Sequence, residues 1–89
     1  MISAKEAREQ AQVLIDKNQR PIDSYLRWIN TRIMGKIERG FTSINGKDLW
    51  NGFSACLPNK STTEQLQHAL IDVGYVVYIE KDVISFISW

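Results

Sequence analysis

Residues 21–40, PIDSYLRWINTRIMGKIERG, have the clearest helical pattern in this chain. Aliphatic side chains recur through this stretch at helical spacing, which places them on one face of an amphipathic helix; they are Ile22, Leu26, Ile29, Ile33 and Ile37. Pro21 suits the first helical turn, where no amide is needed, and Gly40 suits the left-handed position that ends a helix. The pattern predicts a helix over about residues 21–39.

Another helix is predicted before it, over about residues 4–18. Ser3 and Glu6 have the spacing of a capping box, in which the hydroxyl accepts from a helix amide. A narrow apolar stripe follows at helical spacing, formed by Ala4, Ala7, Ala11, Leu14 and Ile15. Because alanine allows two backbones to approach closely, the stripe predicts close packing against a neighbouring helix.

Residues after Gly40 predict a short strand and a packed loop. Residues 41–45 alternate large and polar side chains and end at the turn signal Asn45-Gly46, which predicts a strand. Residues 47–60 hold several large apolar side chains but are interrupted by Gly52 and Pro58. We therefore expect a loop there with one or two helical turns.

The last third of the chain predicts a helix followed by a hairpin. Ser61 and Glu64 repeat the capping-box spacing, and apolar residues then recur to Gly74, so a helix is expected over about residues 62–73. Residues 75–79 and 83–89 are β-branched and aromatic around a polar turn, which is typical of two paired strands. The order predicts a single α+β domain over residues 1–89, with helices packed on a small antiparallel sheet of strands 41–45, 75–79 and 83–89 in two layers.

Composition restricts the class of protein and its compartment. The net charge is +1, which excludes a histone-like basic protein and an acidic nucleic-acid mimic. Cys56 is the only cysteine, so no internal disulfide forms and a reducing cytoplasm is expected. The N-terminal residues lack the apolar core of a signal peptide, and no apolar run is long enough to span a bilayer, so no membrane association is predicted.

No arrangement of residues in the sequence indicates catalysis. His68 and Cys56 are each the only residue of their type, which predicts no metal site, and a Cys56–His68 nucleophilic pair would lack an orienting group. The five glycines match no phosphate-binding fingerprint. We expect no enzyme activity, no catalytic residues, no metal and no cofactor.

Charge is distributed unevenly along the chain. Residues 1–40 hold eight Lys and Arg against five Asp and Glu, a balance of +3, whereas residues 41–89 hold three against five, a balance of −2. In the helix of residues 21–39, Trp28 points about 140° away from the aliphatic stripe, by the helical rotation of about 100° per residue. The cations Arg32, Lys36 and Arg39 lie between Trp28 and Tyr25 on the helical wheel.

Two interpretations of this face remain open. Trp28 either packs onto the first helix beneath solvated cations, or it forms an exposed partner-binding patch with neighbouring aromatic and basic residues. Such a patch would bind a protein, since Trp, Tyr and Arg concentrate binding energy, or a nucleotide or single strand through stacking and phosphate contacts. The predicted partner-binding residues are Tyr25, Trp28, Arg32, Lys36 and Arg39.

Association with a second copy is also expected. A chain of this length buries a thin core, which makes homo-oligomerisation favourable. The C-terminal strand of residues 83–89 is predicted either to keep an open edge that accepts another strand or to cap the core against the second helix with Trp89.

Four short motifs stand at the two ends and in the middle of the chain; they are Ser-Ala-Lys-Glu-Ala-Arg at 3–8, Gly-Phe-Thr-Ser-Ile at 40–44, Gly-Tyr at 74–75 and Ile-Ser-Trp at 87–89. Together they resemble a pattern found in short, uncharacterised accessory proteins of tailed bacteriophages. Residues 47–60 have no counterpart in that pattern. The resemblance implies a viral protein of the host bacterial cytosol that blocks a host process or defence by binding, and it carries over no catalytic residues.

The function expected from residues and resemblance together is that of a non-enzymatic protein-binding module. Its partner would be a host or viral protein. The alternative is a nucleotide or nucleic-acid binder, including one that sequesters a signalling nucleotide, through the aromatic and basic face of the helix over residues 21–39.

Overall fold

The computed structural model describes all 89 residues and confirms the α+β prediction. Four helices and three strands follow one another along the chain: α1 (Ala4–Lys17), α2 (Ile22–Glu38), β1 (Ser43–Asn45), α3 (Gly46–Leu49), α4 (Lys60–Asp72), β2 (Val76–Glu80) and β3 (Val83–Ser88). None of the helices combines the length and apolar character needed to cross a bilayer.

The strands form one antiparallel sheet in the order β1-β3-β2. β2 and β3 form the predicted hairpin, whose two turn residues Lys81 and Asp82 have φ angles of 52° and 63°, as tight hairpin turns require. Of the two alternatives for the C-terminal strand, the open edge is wrong, because β3 lies at the centre and pairs on both sides. Trp89 contacts Tyr75, with ring centroids 6.4 Å apart.

The core lies between this sheet and the helices α2, α3 and α4. Ile29 and Ile33 of the predicted stripe are buried, whereas Ile37 at its end is half-exposed. The buried apolar residues form a single cluster, consisting of Tyr25, Ile29, Ile33, Ile44, Leu49, Leu66, Leu70, Ile84 and Ile87.

Helix α1 lies outside the core, contrary to the expectation of close helix packing. Ser3 caps it as predicted, since the Ser3 hydroxyl accepts from the Glu6 amide at 3.2 Å. None of its residues is buried, and it packs against no other helix or strand. A stripe rich in alanine offers little apolar area, and the apolar face of α2 is already covered by α4 and the sheet. The helix therefore extends as an arm, and the molecule measures 51 Å by 23 Å by 20 Å.

Polar contacts fix the arm where it joins the domain. The Asn59 side chain donates to Asp16 at 2.7 Å, and the Asn59 amide donates to the Gln19 side chain at 3.0 Å. Asn59 also caps α4, because its side-chain oxygen accepts from the Thr62 amide at 2.9 Å. The predicted cap at Ser61 is therefore wrong, and α4 begins two residues earlier than expected.

Candidate functional site

A groove of about 430 Å³ runs along α2 beside α3, and it gathers four of the five residues predicted to bind a partner. We call it the α2 groove. Its polar and aromatic lining consists of Trp28, Thr31, Arg32, Lys36, Arg39, Asp48 and Asn51. Gly35 lies among them, and a Cβ atom at this position would meet no neighbouring atom within 4 Å. The groove is therefore open to a ligand along the middle of α2.

Trp28 anchors the segment that forms the opposite wall. Its indole Nε1 donates a hydrogen bond of 2.7 Å to the carbonyl of Leu49, the last residue of α3. Its ring packs edge to face with Phe53, with centroids 5.0 Å apart. Trp28 is therefore half-buried in its own chain, and it is covered by residues 49–53 rather than by α1.

Arg32 lies over Trp28 and faces the groove. The guanidinium carbon is 4.4 Å from the centre of the indole ring, within range of a cation–π interaction. Nη2 donates a hydrogen bond to the carbonyl of Asn51. The other guanidinium N–H groups have no partner in the protein, so the side chain is held in place while it keeps donors for a ligand.

Lys36 and Arg39 differ in how far they are already engaged. Lys36 Nζ forms an ion pair with Asp48 at 3.0 Å and lies 4.7 Å from the centre of the Phe41 ring. Arg39 is exposed and forms no ion pair. The groove thus has three cations against one carboxylate, and that carboxylate is already paired, so the groove favours an anionic ligand.

Tyr25 does not belong to the exposed face, which corrects the prediction for this residue. It is 0% exposed, its hydroxyl donates to the carbonyl of Cys56 at 2.7 Å, and its ring lies 5.8 Å from that of Phe53. Tyr25 was predicted to lie on the partner-binding face with the cations, but the loop after α3 covers this side of α2 and buries it.

The wall opposite α2 contains residues that the sequence analysis did not single out as functional. Asp48 is held in place by the Asn45 cap, because its amide donates to the Asn45 side chain at 2.8 Å. Phe53 contacts three other aromatic rings, those of Tyr25, Trp28 and Trp50. The sequence carried a usable signal, since Asn45 three residues before Asp48 is a helix-start pattern.

Cys56 and His68 are not hydrogen-bonded to each other, and no cluster of metal-ligating side chains forms. No group of three or more His, Cys, Asp or Glu side chains comes together. Cys56 Sγ lies near the Gln19 amide nitrogen, at 3.5 Å, and near backbone carbonyls, and it makes no hydrogen bond with His68. No protein-family model, curated protein or solved structure matches this chain.

Proposed function

We propose that this chain is a non-enzymatic protein-binding module whose α2 groove receives an acidic segment of a partner protein. The observation that carries the proposal is the position of Arg32, which lies across Trp28 in a groove whose single carboxylate is already paired with Lys36. Arg and Trp are the side chains in which interface binding energy is most often concentrated.

The groove also limits the entropy lost on binding. Arg32 is held by the Asn51 carbonyl and by the indole of Trp28, so fewer rotamers are lost when a carboxylate engages its remaining N–H groups. Arg39, which is exposed and unpaired, provides a second donor for the same ligand. An Arg–carboxylate contact of this kind is stronger than a neutral hydrogen bond.

The nature of the partner is suggested by the resemblance to bacteriophage accessory proteins. We propose a host or viral protein of the bacterial cytoplasm that presents carboxylates on its surface. Binding of this kind would modulate or inhibit the process in which that protein acts.

A second candidate function is nucleic-acid binding, which the order of elements favours. The helices α3 and α4, followed by the β2–β3 hairpin with β1 paired to β3, have the order of winged helix-turn-helix domains, in which the second helix enters the major groove. Fold-level analogy alone does not assign a function.

Two observations favour the protein partner over nucleic acid. Helix α4 and the tip of the hairpin together carry two cations against four carboxylates, which repel phosphate; they are Lys60 and Lys81 against Glu64, Asp72, Glu80 and Asp82. In the α2 groove, Arg32 lies over one face of the Trp28 indole and Phe53 contacts the same ring edge to face, so less of this ring is free for a base to stack on.

A titration followed by NMR tests the proposal. The ¹⁵N-labelled chain is titrated separately with a decaglutamate peptide, with a dT decamer and with a short DNA duplex, all at the same ionic strength. We expect the peptide to shift the Trp28 indole N–H and the amides of residues 32–39. Stronger binding of the dT decamer at this groove, or of the duplex at α4 and the hairpin turn, would support the second candidate, and no response to any of the three probes would contradict both candidates.

A matched pair of variants shows whether the response arises in the groove. Gly35→Glu places a carboxylate where the structure leaves space, so the fold is retained and peptide binding is lost. Gln10→Glu makes the same change in charge on the exposed arm and leaves binding unchanged. Equal binding by both variants would show that the peptide does not occupy the α2 groove.

A further inference from the structure

The outer edge of the sheet at β2 is unpaired. β3 separates β2 from β1, so β2 forms hydrogen bonds on one side only. Exposed edges are usually protected by proline, lysine, a bulge or a covering element. β2 reads Val-Val-Tyr-Ile-Glu, and the unpaired extra residue of the hairpin, Ser85, lies on β3 rather than on β2. The edge therefore lacks the usual protection against pairing.

Apolar side chains are exposed on this edge and on the segment that leads into it. Val76 is 49% exposed and Tyr78 is 58% exposed, while Ile71 and Val73 at the end of α4 are 50% and 72% exposed. Tyr78 packs beside Phe86 on the face of the sheet that no helix covers, with ring centroids 5.7 Å apart. An apolar strand edge of this kind is typical of an interaction surface.

We propose that β2 pairs antiparallel with β2 of a second copy, around a two-fold axis at Tyr78, to form a six-stranded sheet. In that register Val77 of one copy faces Ile79 of the other, and Val76 faces Glu80. Pairs of β-branched residues stabilise neighbouring strands, and no like charges stand opposite each other.

A second copy fits this edge better than an unrelated charged peptide. Of the three exposed side chains of β2, Val76 and Tyr78 carry no charge, and the only charged one is Glu80 at the end of the strand, so the edge has little charge that would select an acidic or basic partner. Identical edges are self-complementary, and two-fold pairing closes the assembly so that no further copies add. Only 12 of the 89 residues are buried within one copy, so the additional burial is favourable.

A charge-swap experiment on the full chain tests the pairing. Tyr78→Lys and Tyr78→Glu each place like charges opposite each other across the two-fold axis, and because Tyr78 is exposed the fold is retained, as circular dichroism would verify. We expect sedimentation equilibrium to show a wild-type dimer at about 100 μM and the dissociation constant of each variant to rise by about tenfold or more. An equimolar mixture of the two variants restores a 1:1 dimer, which native mass spectrometry identifies.

A control on the other exposed apolar element makes the test specific. Val13→Lys changes a 65% exposed residue of α1 and leaves the dimer intact. A wild-type chain that stays monomeric at the highest concentration overturns the proposal. So does a dimer that Val13→Lys disrupts and Tyr78→Lys does not, or a mixture of the charged variants that stays monomeric.

Discussion

The same substitution at two glycines is expected to change stability in opposite directions. Gly46 begins α3, and a Cβ atom there would lie 2.8 Å from the carbonyl oxygen of Ile84 and 3.0 Å from the Cα of Ser85. Both atoms belong to the backbone of the central strand β3, so they cannot rotate away. Gly35, in the middle of α2, has open space around the same position.

The structure gives the expected size of each effect. Gly35→Ala raises the free energy of unfolding by about 0.5–1 kcal/mol, because alanine is the better helix former and restricts the unfolded chain. Gly46→Ala lowers the free energy of unfolding by about 1–3 kcal/mol, because the added methyl group would overlap backbone atoms that cannot move away. Urea denaturation followed by tryptophan fluorescence measures both, and each kcal/mol corresponds to about 4–8 °C in Tm for a domain of this size.

The effect of Gly46→Ala also tests the description of the α2 groove. α3 supplies Asp48 and the carbonyl that binds Trp28, so displacing α3 from β3 would loosen the wall opposite Arg32. Equal denaturant slopes for the variants and the wild type would verify that only the native state changed. A Gly46→Ala variant as stable as the wild type would refute the contact between α3 and β3, and with it the groove as described.

Two further predictions concern the core and the arm. Thr63 Oγ1 is buried without a hydrogen-bond partner. Thr63→Val therefore raises the free energy of unfolding by about 1 kcal/mol, whereas Thr63→Ser keeps the hydroxyl and does not raise it. A Thr63→Val variant less stable than the wild type would contradict this account. Deleting residues 1–11 changes the free energy of unfolding by less than about 0.5 kcal/mol, because no residue of α1 is buried. A loss above about 1 kcal/mol in urea denaturation would show that the arm packs on the domain.

The sequence was sufficient to predict those helices and strands in which apolar residues repeat at regular spacing. The stripe from Ile22 to Ile37 has enough turns to specify both the helix and its buried side, and α2 covers Ile22–Glu38 against the predicted 21–39. The hairpin was predictable for the same reason, since two apolar strands flank one polar turn. Local chemistry was enough for the cap at Ser3.

The sequence was insufficient to predict how an element packs when this depends on residues distant in the chain. The stripe of α1 indicates a face but not a partner, and the helix it was expected to pack against is covered by other elements. Tyr25 is buried because the loop after α3 covers it. That loop has no apolar periodicity in its sequence, so its position over Tyr25 was not predictable. Asn59 caps α4 instead of Ser61, and the same side chain donates a hydrogen bond to Asp16 of the arm. This second contact joins residues distant in the chain, so the local spacing around Ser61 did not indicate it.

The two proposed surfaces lie at opposite ends of the sheet order, and this makes them separable. The α2 groove adjoins β1, whereas the pairing edge is β2, with β3 between them. A dimer formed through β2 would leave both grooves accessible, and a partner with two acidic segments would then bind with an avidity beyond that of one groove.

The variants Gly35→Glu and Tyr78→Lys test whether the two surfaces are separate. Gly35→Glu should form the dimer normally while losing the decaglutamate peptide, and Tyr78→Lys should bind the peptide normally as a monomer. If Gly35→Glu also dissociated the dimer with its fold intact, the dimer would depend on the α2 groove, and the separation of the two surfaces would be refuted.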